Sequence, residues 1–88
     1  MDLKESAYWI IDVDRRLITI NAFKDKKILH PSDIAKNNNR SIQNISRAIH
    51  ELEKEKILKP IDKKITWKKY ILTDKGNKVL KEIKKIYS

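Results

Sequence analysis

Three polar side chains near the start of one predicted helix have the chemistry needed to read base edges in duplex DNA. Gln43, Asn44 and Arg47 fall on the exposed front of a helix predicted over residues 41–56. In the major groove, glutamine and asparagine pair bidentately with adenine, and arginine pairs bidentately with guanine. A solvated polar face is the alternative interpretation of these residues, and the pattern favours base contact.

A second group of polar and basic residues has the chemistry to hold a phosphate backbone. Arg40 precedes the helix at 41–56, and the N-terminus of a helix favours an anion. Ser46 is predicted to contact either a phosphate or the neighbouring helix. Lysines on a hairpin can reach the backbone or the minor groove, although lysines at a strand edge also serve to block pairing. The predicted phosphate contacts are Arg40, Ser41, Ser46, Lys63, Lys64 and Lys68.

The net charge is concentrated in the second part of the chain. The 88 residues carry a formal charge of +9. Acidic and basic side chains balance over residues 1–33, so the whole excess belongs to residues 34–88. A localised positive excess attracts polyanions, with nucleic acid as the leading candidate. An acidic protein partner and a lysine-rich surface that serves only solubility or high temperature are the alternatives. No segment has the basic amphipathic pattern that membranes favour, so no membrane partner is expected.

The composition excludes several kinds of site. The chain has no cysteine, two histidines and one glycine. Thiolate metal sites, disulfides, cysteine nucleophiles and glycine-rich phosphate loops are therefore excluded. With no motif for metal or nucleophilic catalysis, we expect no enzyme, no metal, no cofactor and no small-molecule effector. The start of the chain lacks the pattern of a signal peptide, and no apolar run approaches the length of a membrane span. A cytoplasmic, nucleoid-associated protein is expected.

The hydrophobic period predicts four helices and one hairpin. Apolar residues recur at three- and four-residue spacing in helices predicted at about 5–23, 31–37, 41–56 and 74–86. Poor helix formers at 12–14 allow a break in the first of these helices. Between the last two helices, the short period predicts a hairpin over about 57–72. The inner face of the helix at 41–56 is assigned to Ile42, Ile45, Ile49 and Leu52, and the inner face of the hairpin to Tyr70 and Leu72.

Local signals mark where these helices begin and end. Ser6, Ser41 and Thr73 are predicted N-caps, because a hydroxyl can accept a bond from an unpaired N–H of the first turn. Pro31 suits the first helical position, where its missing N–H costs nothing. Asn39 is predicted to take the left-handed conformation in the turn that follows the short helix.

Two helices joined by a tight turn and followed by a hairpin predict a winged helix-turn-helix. The expected fold is α+β and mostly helical, with a three-helix core, a two-stranded β wing and a C-terminal helix. Residues 1–88 are expected to form one domain, with the helix-turn-helix at about 31–56 and the wing at about 57–72. In this fold the second helix of the pair enters the major groove through its N-terminal residues.

Three runs in the sequence, 31–35, 44–54 and 70–76, resemble archaeal winged helix-turn-helix transcriptional regulators related to the MarR-like and ArsR-like groups. The resemblance covers about residues 29–80. It implies a sequence-specific regulator that binds double-stranded DNA. Three features depart from the family pattern. Asn38 and Arg40 stand where apolar residues are usual beside the turn, Asn39 replaces the usual glycine, and the wing has no glycine but contains Trp67 and Lys68.

One small module reads few base pairs, so a homodimer is expected. The surplus of apolar residues on the first and last helices places the predicted interface at Trp9, Ile11, Ile83, Ile86 and Tyr87. Two other functions stay open at this point. The chain could be a winged-helix protein-interaction module of a larger assembly, or a binder of RNA or single strands, for which Trp67 and the lysines would suffice.

Overall fold

A computed structural model describes residues 1–61 and 68–88 of the chain. A single 3₁₀ turn, Lys24–Lys26, follows the second helix. The helices are α1 Leu3–Ile11, α2 Asp14–Ala22, α3 Pro31–Asn37, α4 Ile42–Lys54 and α5 Asp74–Tyr87, and the strands are β1 Leu58–Pro60 and β2 Tyr70–Leu72.

The helix predicted at 5–23 is two helices in the structure. Asp2 begins α1, because its carboxylate accepts the backbone N–H of Glu5 at 2.8 Å while the Glu5 side chain accepts the N–H of Asp2 at 3.1 Å. The prediction of Ser6 as the N-cap is therefore wrong, and Ser6 is fully buried. Val13 is extended, with φ −131° and ψ 114°, so the chain turns before α2 begins.

Local signals around α3 act as the sequence predicts. His30 caps this helix, since its Nδ1 accepts the backbone N–H of Ser32 at 3.0 Å. Pro31 occupies the first helical turn. Asn39 is left-handed, with φ 53°, which lets the chain reverse after α3. The N–H of Arg40 then donates to the carbonyl of Ala35 at 2.9 Å and closes the turn between α3 and α4.

The helix α4 begins at the predicted cap, Ser41, and the prediction of its inner face is wrong at one residue. The hydroxyl oxygen of Ser41 accepts the backbone N–H of Asn44 at 3.1 Å. The buried side chains of α4 are Ile45, Ala48, Ile49 and Leu52. Ile42 is 53% exposed, so its assignment to the core is wrong. It occupies the first helical position of α4, which the described part of the chain leaves uncovered.

The hairpin is short, and it is extended on one side by a single bridge. Strands β1 and β2 are antiparallel, with Leu58 opposite Leu72 and Pro60 opposite Tyr70. On the other side of β2, Leu29 and Tyr70 exchange backbone hydrogen bonds of 3.2 and 2.8 Å. Tyr70 and Leu72 are buried as predicted. A turn at 62–64 and a returning strand over 65–72 are predicted for this hairpin; the turn and residues 65–67 of that strand lie outside the described residues.

The last helix is fixed by its first turn. Thr73 is the predicted cap, and its hydroxyl oxygen accepts the N–H of Gly76 at 2.9 Å. Gly76 packs so closely on the preceding chain that a Cβ there would overlap the carbonyl oxygen of Ile57. Below this contact, α5 packs on α1 and buries Val79, Leu80 and Ile83.

These elements form the predicted fold. The pair α3 and α4 packs together through the tight turn, α2 packs on α4, and α1 packs on α5. The β1–β2 hairpin follows α4 directly. The protein is therefore α+β and mostly helical, with the architecture of a winged helix-turn-helix. The first long helix of the prediction is divided at 12–13, within the stretch 12–14 where the sequence allows a break.

Candidate nucleic-acid interface

A line of exposed polar side chains runs along α4 on the side opposite the core. Gln43, Arg47, His50 and Lys54 are all exposed and follow at intervals of four, three and four residues. This spacing places them on one face of a helix. The line begins near the capped N-terminus of α4 with the two predicted base-reading residues, Gln43 and Arg47. Lys54, which the sequence analysis did not select, continues it.

Asn44 lies beside this line and takes part in a small cluster at the start of α4. Its side-chain oxygen accepts from the Arg40 guanidinium at 3.4 Å, and its backbone N–H is held by Ser41. Asn44 and Arg40 are both half-buried. Among the described residues, the Asn44 amide nitrogen and the other Arg40 nitrogens have no further hydrogen-bond partner, so these donors are available to a ligand. The structure thus brings three of the predicted contact residues together.

Ile42 adds an apolar group to the same end of the helix. Its side chain is half exposed between the cap residue Ser41 and the polar Gln43. A branched aliphatic group at this place can contact the 5-methyl group of thymine, which is the apolar feature of the major groove.

Of the other predicted phosphate contacts, two lie within the described residues. Ser46 is half-buried on the flank of α4, and Lys68 is half-buried just before β2. Lys63 and Lys64, like Trp67, lie outside the described residues. The structure therefore places Arg40, Ser41 and Ser46 around α4, and Lys68 on the hairpin.

An ionic cluster attaches α4 to the helix behind it. The Glu51 carboxylate accepts from Arg15 Nε at 2.8 Å, from Arg15 Nη2 at 2.7 Å and from Arg16 Nη2 at 2.9 Å. These hydrogen bonds lower the pKa of Glu51 to about 2, and the Arg15 pair raises the pKa of that arginine in turn. The side chains are 14–21% exposed, so the cluster is partly shielded from water.

Arg16 extends the cluster to α1. Its guanidinium lies 4.0 Å from the centroid of the Trp9 ring, and Nη1 donates to the Trp9 carbonyl at 3.0 Å. Three helices are therefore joined behind the exposed line of α4. Sequence reasoning missed this cluster. The signals that could have indicated it are the adjacent arginines and a glutamate on the predicted recognition helix.

The residues predicted for a dimer interface have different positions. Ile83 is 2% exposed and belongs to the core, so its assignment to an interface is wrong. Trp9, Ile11 and Ile86 are half-buried against the core, and each keeps some exposed surface. Tyr87 is 63% exposed. The apolar surface that remains is on α1 and on the end of α5.

The described residues contain neither a cluster of metal-ligating side chains nor a membrane-spanning helix. Across 1–61 and 68–88, no three histidine, aspartate or glutamate side chains group closely enough to hold a metal ion. No helix in the same ranges combines the length and the apolar character that crossing a membrane requires.

Two solved structures have folds similar to the fold of this chain. Neither a protein-family model nor a curated protein matches the chain. The structure is similar to that of a mutant of TubR, a protein of type III plasmid segregation, with a TM-score of 0.83 and 16% identity over 99% of this chain and 94% of that chain. It is also similar to a mutant of S. aureus MepR bound to an oligodeoxyribonucleotide, with a TM-score of 0.70 and 23% identity over 98% of this chain and 68% of that chain. At these identities, the likenesses establish the winged-helix fold.

Proposed function

We propose that this chain binds duplex DNA through α4 and regulates transcription without catalysing a reaction. The observation that carries this proposal is the exposed line of α4, which starts with Gln43 and Arg47 at the capped end of the helix. The major groove admits an α-helix, and helix-turn-helix proteins place the N-terminal part of the second helix against the bases. The likeness to MepR, which is bound to an oligodeoxyribonucleotide, supports the proposal.

The side chains divide into two roles in this proposal. Gln43, Asn44 and Arg47 read base edges, with Arg47 pairing with guanine through its planar fork of donors. Arg40, Ser41 and Ser46 hold phosphates around the start of α4, and lysines of the hairpin hold the flanking backbone or minor groove. The second set comprises Arg40, Ser41, Ser46, Lys63, Lys64 and Lys68.

The proposed DNA-binding unit is a homodimer of single-domain chains. One helix in one groove reads only a few base pairs. A second copy of the chain, related by a two-fold axis, doubles the number of base pairs that are read. Trp9 and Ile11 of α1, with Ile86 and Tyr87 at the end of α5, supply the apolar surface for the contact. Sedimentation across a concentration series tests this part, since a chain that remains monomeric with and without DNA would contradict it.

A second candidate role uses the same interface to segregate DNA rather than to control transcription. The fit to the plasmid-segregation protein TubR has the higher TM-score, and it extends over 94% of that chain. Two assays in cells separate the roles. Loss of the gene changes expression from a promoter beside the selected binding site if the chain is a regulator. It changes inheritance of a plasmid carrying that site if the chain acts in segregation.

Fluorescence anisotropy tests the shared claim of duplex binding. Labelled duplex DNA, single-stranded DNA and RNA of equal length are titrated at two salt concentrations, with Arg40→Gln compared against Lys4→Gln, an exposed lysine on α1. We expect duplex to bind best, its affinity to fall steeply with salt, and Arg40→Gln to weaken it more than the control. Equal or tighter binding of single strands or RNA would contradict the proposal and favour the single-strand alternative. No duplex binding beyond the non-specific range of about 10⁻⁴–10⁻⁶ M would favour a protein-interaction module.

A further inference from the structure

A second basic surface lies at the other end of α4. Two adjoining hollows, of about 580 and 350 Å³, share Lys26 and Asn77 in their walls. Together they form a trough beside the base of the hairpin and along α5. Its basic residues are Lys26, Lys56, Lys59, Lys75, Lys81 and Lys84, and we call this surface the basic trough.

The basic trough is separate from the proposed DNA-reading surface. The helix α4 has 13 residues, so it is about 20 Å long. Gln43 lies in its first turn, whereas Lys56 lies beyond its last residue. The trough therefore lies at the opposite end of α4 from the residues proposed to read bases.

The lysines of the trough have little negative charge to neutralise them. In the described part of the chain, the ion pairs within 4.0 Å are those of Glu51 and Glu82, and neither includes a lysine of the trough. Lys75 donates to the backbone carbonyl of Glu55 at 2.9 Å. Asp25 and Asp74 are the acidic side chains in the walls. Six cations against two carboxylates make a strong site for a polyanion.

Two lysines of the trough have a left-handed backbone, Lys26 with φ 58° and Lys56 with φ 64°. At Lys56 this conformation ends α4, because the N–H of Ile57 donates to the carbonyl of Leu52 and the N–H of Lys56 to that of Glu53, both at 2.9 Å. The end of the helix therefore fixes where Lys56 stands in the wall of the trough.

We propose that the basic trough binds an acidic, partly apolar segment of a partner protein. The section of α5 from Lys75 to Lys84 is about 14 Å long, the span of about four extended residues, so the trough fits a chain rather than a compact anion. Ile71 and Leu80 add aliphatic wall, which a phosphodiester backbone would not use. No aromatic side chain is among the described wall residues, so there is no platform on which single-stranded bases could stack.

The test uses a fluorescein-labelled peptide of alternating glutamate and leucine, with a glutamine–leucine peptide and oligothymidine as comparison probes. The variant Lys26→Gln/Lys81→Gln removes two charges from the trough. The control Lys4→Gln/Lys36→Gln removes two exposed charges from α1 and α3. We expect the trough variant to bind the acidic peptide about tenfold more weakly, and the control less than about twofold more weakly. Both variants should retain equal affinity for duplex DNA.

Lys56→Gly separates binding from folding. Glycine relieves the left-handed backbone, so the melting temperature should rise by about 2–4 °C while the affinity for the acidic peptide falls. The proposal is overturned if the wild-type chain does not bind the acidic peptide, if the two double variants lose affinity equally, or if oligothymidine or the glutamine–leucine peptide binds more tightly. Duplex binding is measured separately, so its failure would leave these outcomes unchanged.

Discussion

Arg15 and Glu51 form a two-pronged pair between α2 and α4, with Arg15 Nε 2.8 Å from Glu51 Oε1 and Arg15 Nη2 2.7 Å from Glu51 Oε2. Such a fork fixes direction as well as distance. Glu51 sits two turns along α4 from Asn44, on the side that faces α2 rather than solvent. Together with the buried face of α4, the pair therefore fixes the rotation of the helix about its axis, and with it the direction of the exposed line that includes Arg47.

Glu51→Gln should destabilise the fold by about 2 kcal/mol, because it removes the charge that two arginines share. This loss of stability is smaller than the loss expected for a fully buried ion pair, because about a fifth of each side chain remains in contact with water. Urea unfolding provides the measurement. Glu82→Gln is the matched control, since its ion pair with Lys85 at 3.8 Å is largely exposed and should contribute little. Equal losses for the two variants would contradict the role given to Glu51.

The same pair predicts a pH dependence with a definite sign. The folded-state pKa of Glu51 is about 2, lowered from 4.5. The stabilisation is therefore complete above about pH 4.5 and is lost as the pH falls toward 2. Comparing unfolding of wild type and Glu51→Gln across this window should show a difference that shrinks with falling pH. A difference that stays constant down to pH 2 would show that the carboxylate is not stabilised by these arginines.

Gly76→Ala should destabilise the protein by about 2 kcal/mol, although alanine is the better helix former. A Cβ at this position would overlap the carbonyl oxygen of Ile57, which belongs to the backbone and cannot rotate away. Thermal unfolding measures the effect. Lys78→Ala on the exposed face of the same helix is the control and should be nearly neutral. A stable Gly76→Ala variant would mean that α5 can move off the hairpin without cost.

Thr73→Val should cost about 1–3 kcal/mol, because the Thr73 hydroxyl joins two elements. It donates to the carbonyl of Lys56 at 2.6 Å and accepts the N–H of Gly76 at 2.9 Å. Valine keeps the shape of threonine but loses both bonds. Thr73→Ser restores the hydroxyl and should recover most of the stability in the same unfolding measurement. No recovery would point to the methyl group instead.

Ile42→Ala should leave stability nearly unchanged and lower affinity for thymine-containing duplex sites by about fivefold. The side chain is 53% exposed, so little core contact is lost. Replacing thymine with uracil in the site removes the 5-methyl group that Ile42 is expected to touch. With uracil, wild type and Ile42→Ala should bind alike in an anisotropy titration. An undiminished difference on uracil would show that Ile42 acts on something other than the methyl group.

Caps and turn residues in the sequence predicted the helices and strands well, because each of them acts on backbone groups only a few residues away. Ser41, Thr73 and Asn39 act within a few residues of their own positions, and each takes the predicted role. The fold class followed from the order of these elements. Ser6 is the exception among the caps, since Asp2 supplies a capping box one turn earlier.

Packing between distant segments could not be predicted from the sequence. The hydrophobic period places both Ile42 and Ile83 on apolar stripes, yet only a neighbouring element decides which is covered. Within the described residues, α5 packs on α1 and Ile83 is 2% exposed, whereas Ile42 is left 53% exposed. The Arg15–Glu51 pair joins residues 36 positions apart, which no local pattern indicates. The left-handed Lys26 and Lys56 were missed because lysine does not signal that conformation.

The central claim is that Arg47 reads a base from the exposed line of α4, and selection from a randomised duplex pool tests it most directly. Wild type and Arg47→Lys are selected in parallel, because lysine keeps the charge but not the planar fork. Wild type is expected to enrich a guanine at one position. Arg47→Lys should bind random duplex within about twofold of wild type and lose that preference. Identical enriched sequences for both proteins would contradict base reading by Arg47.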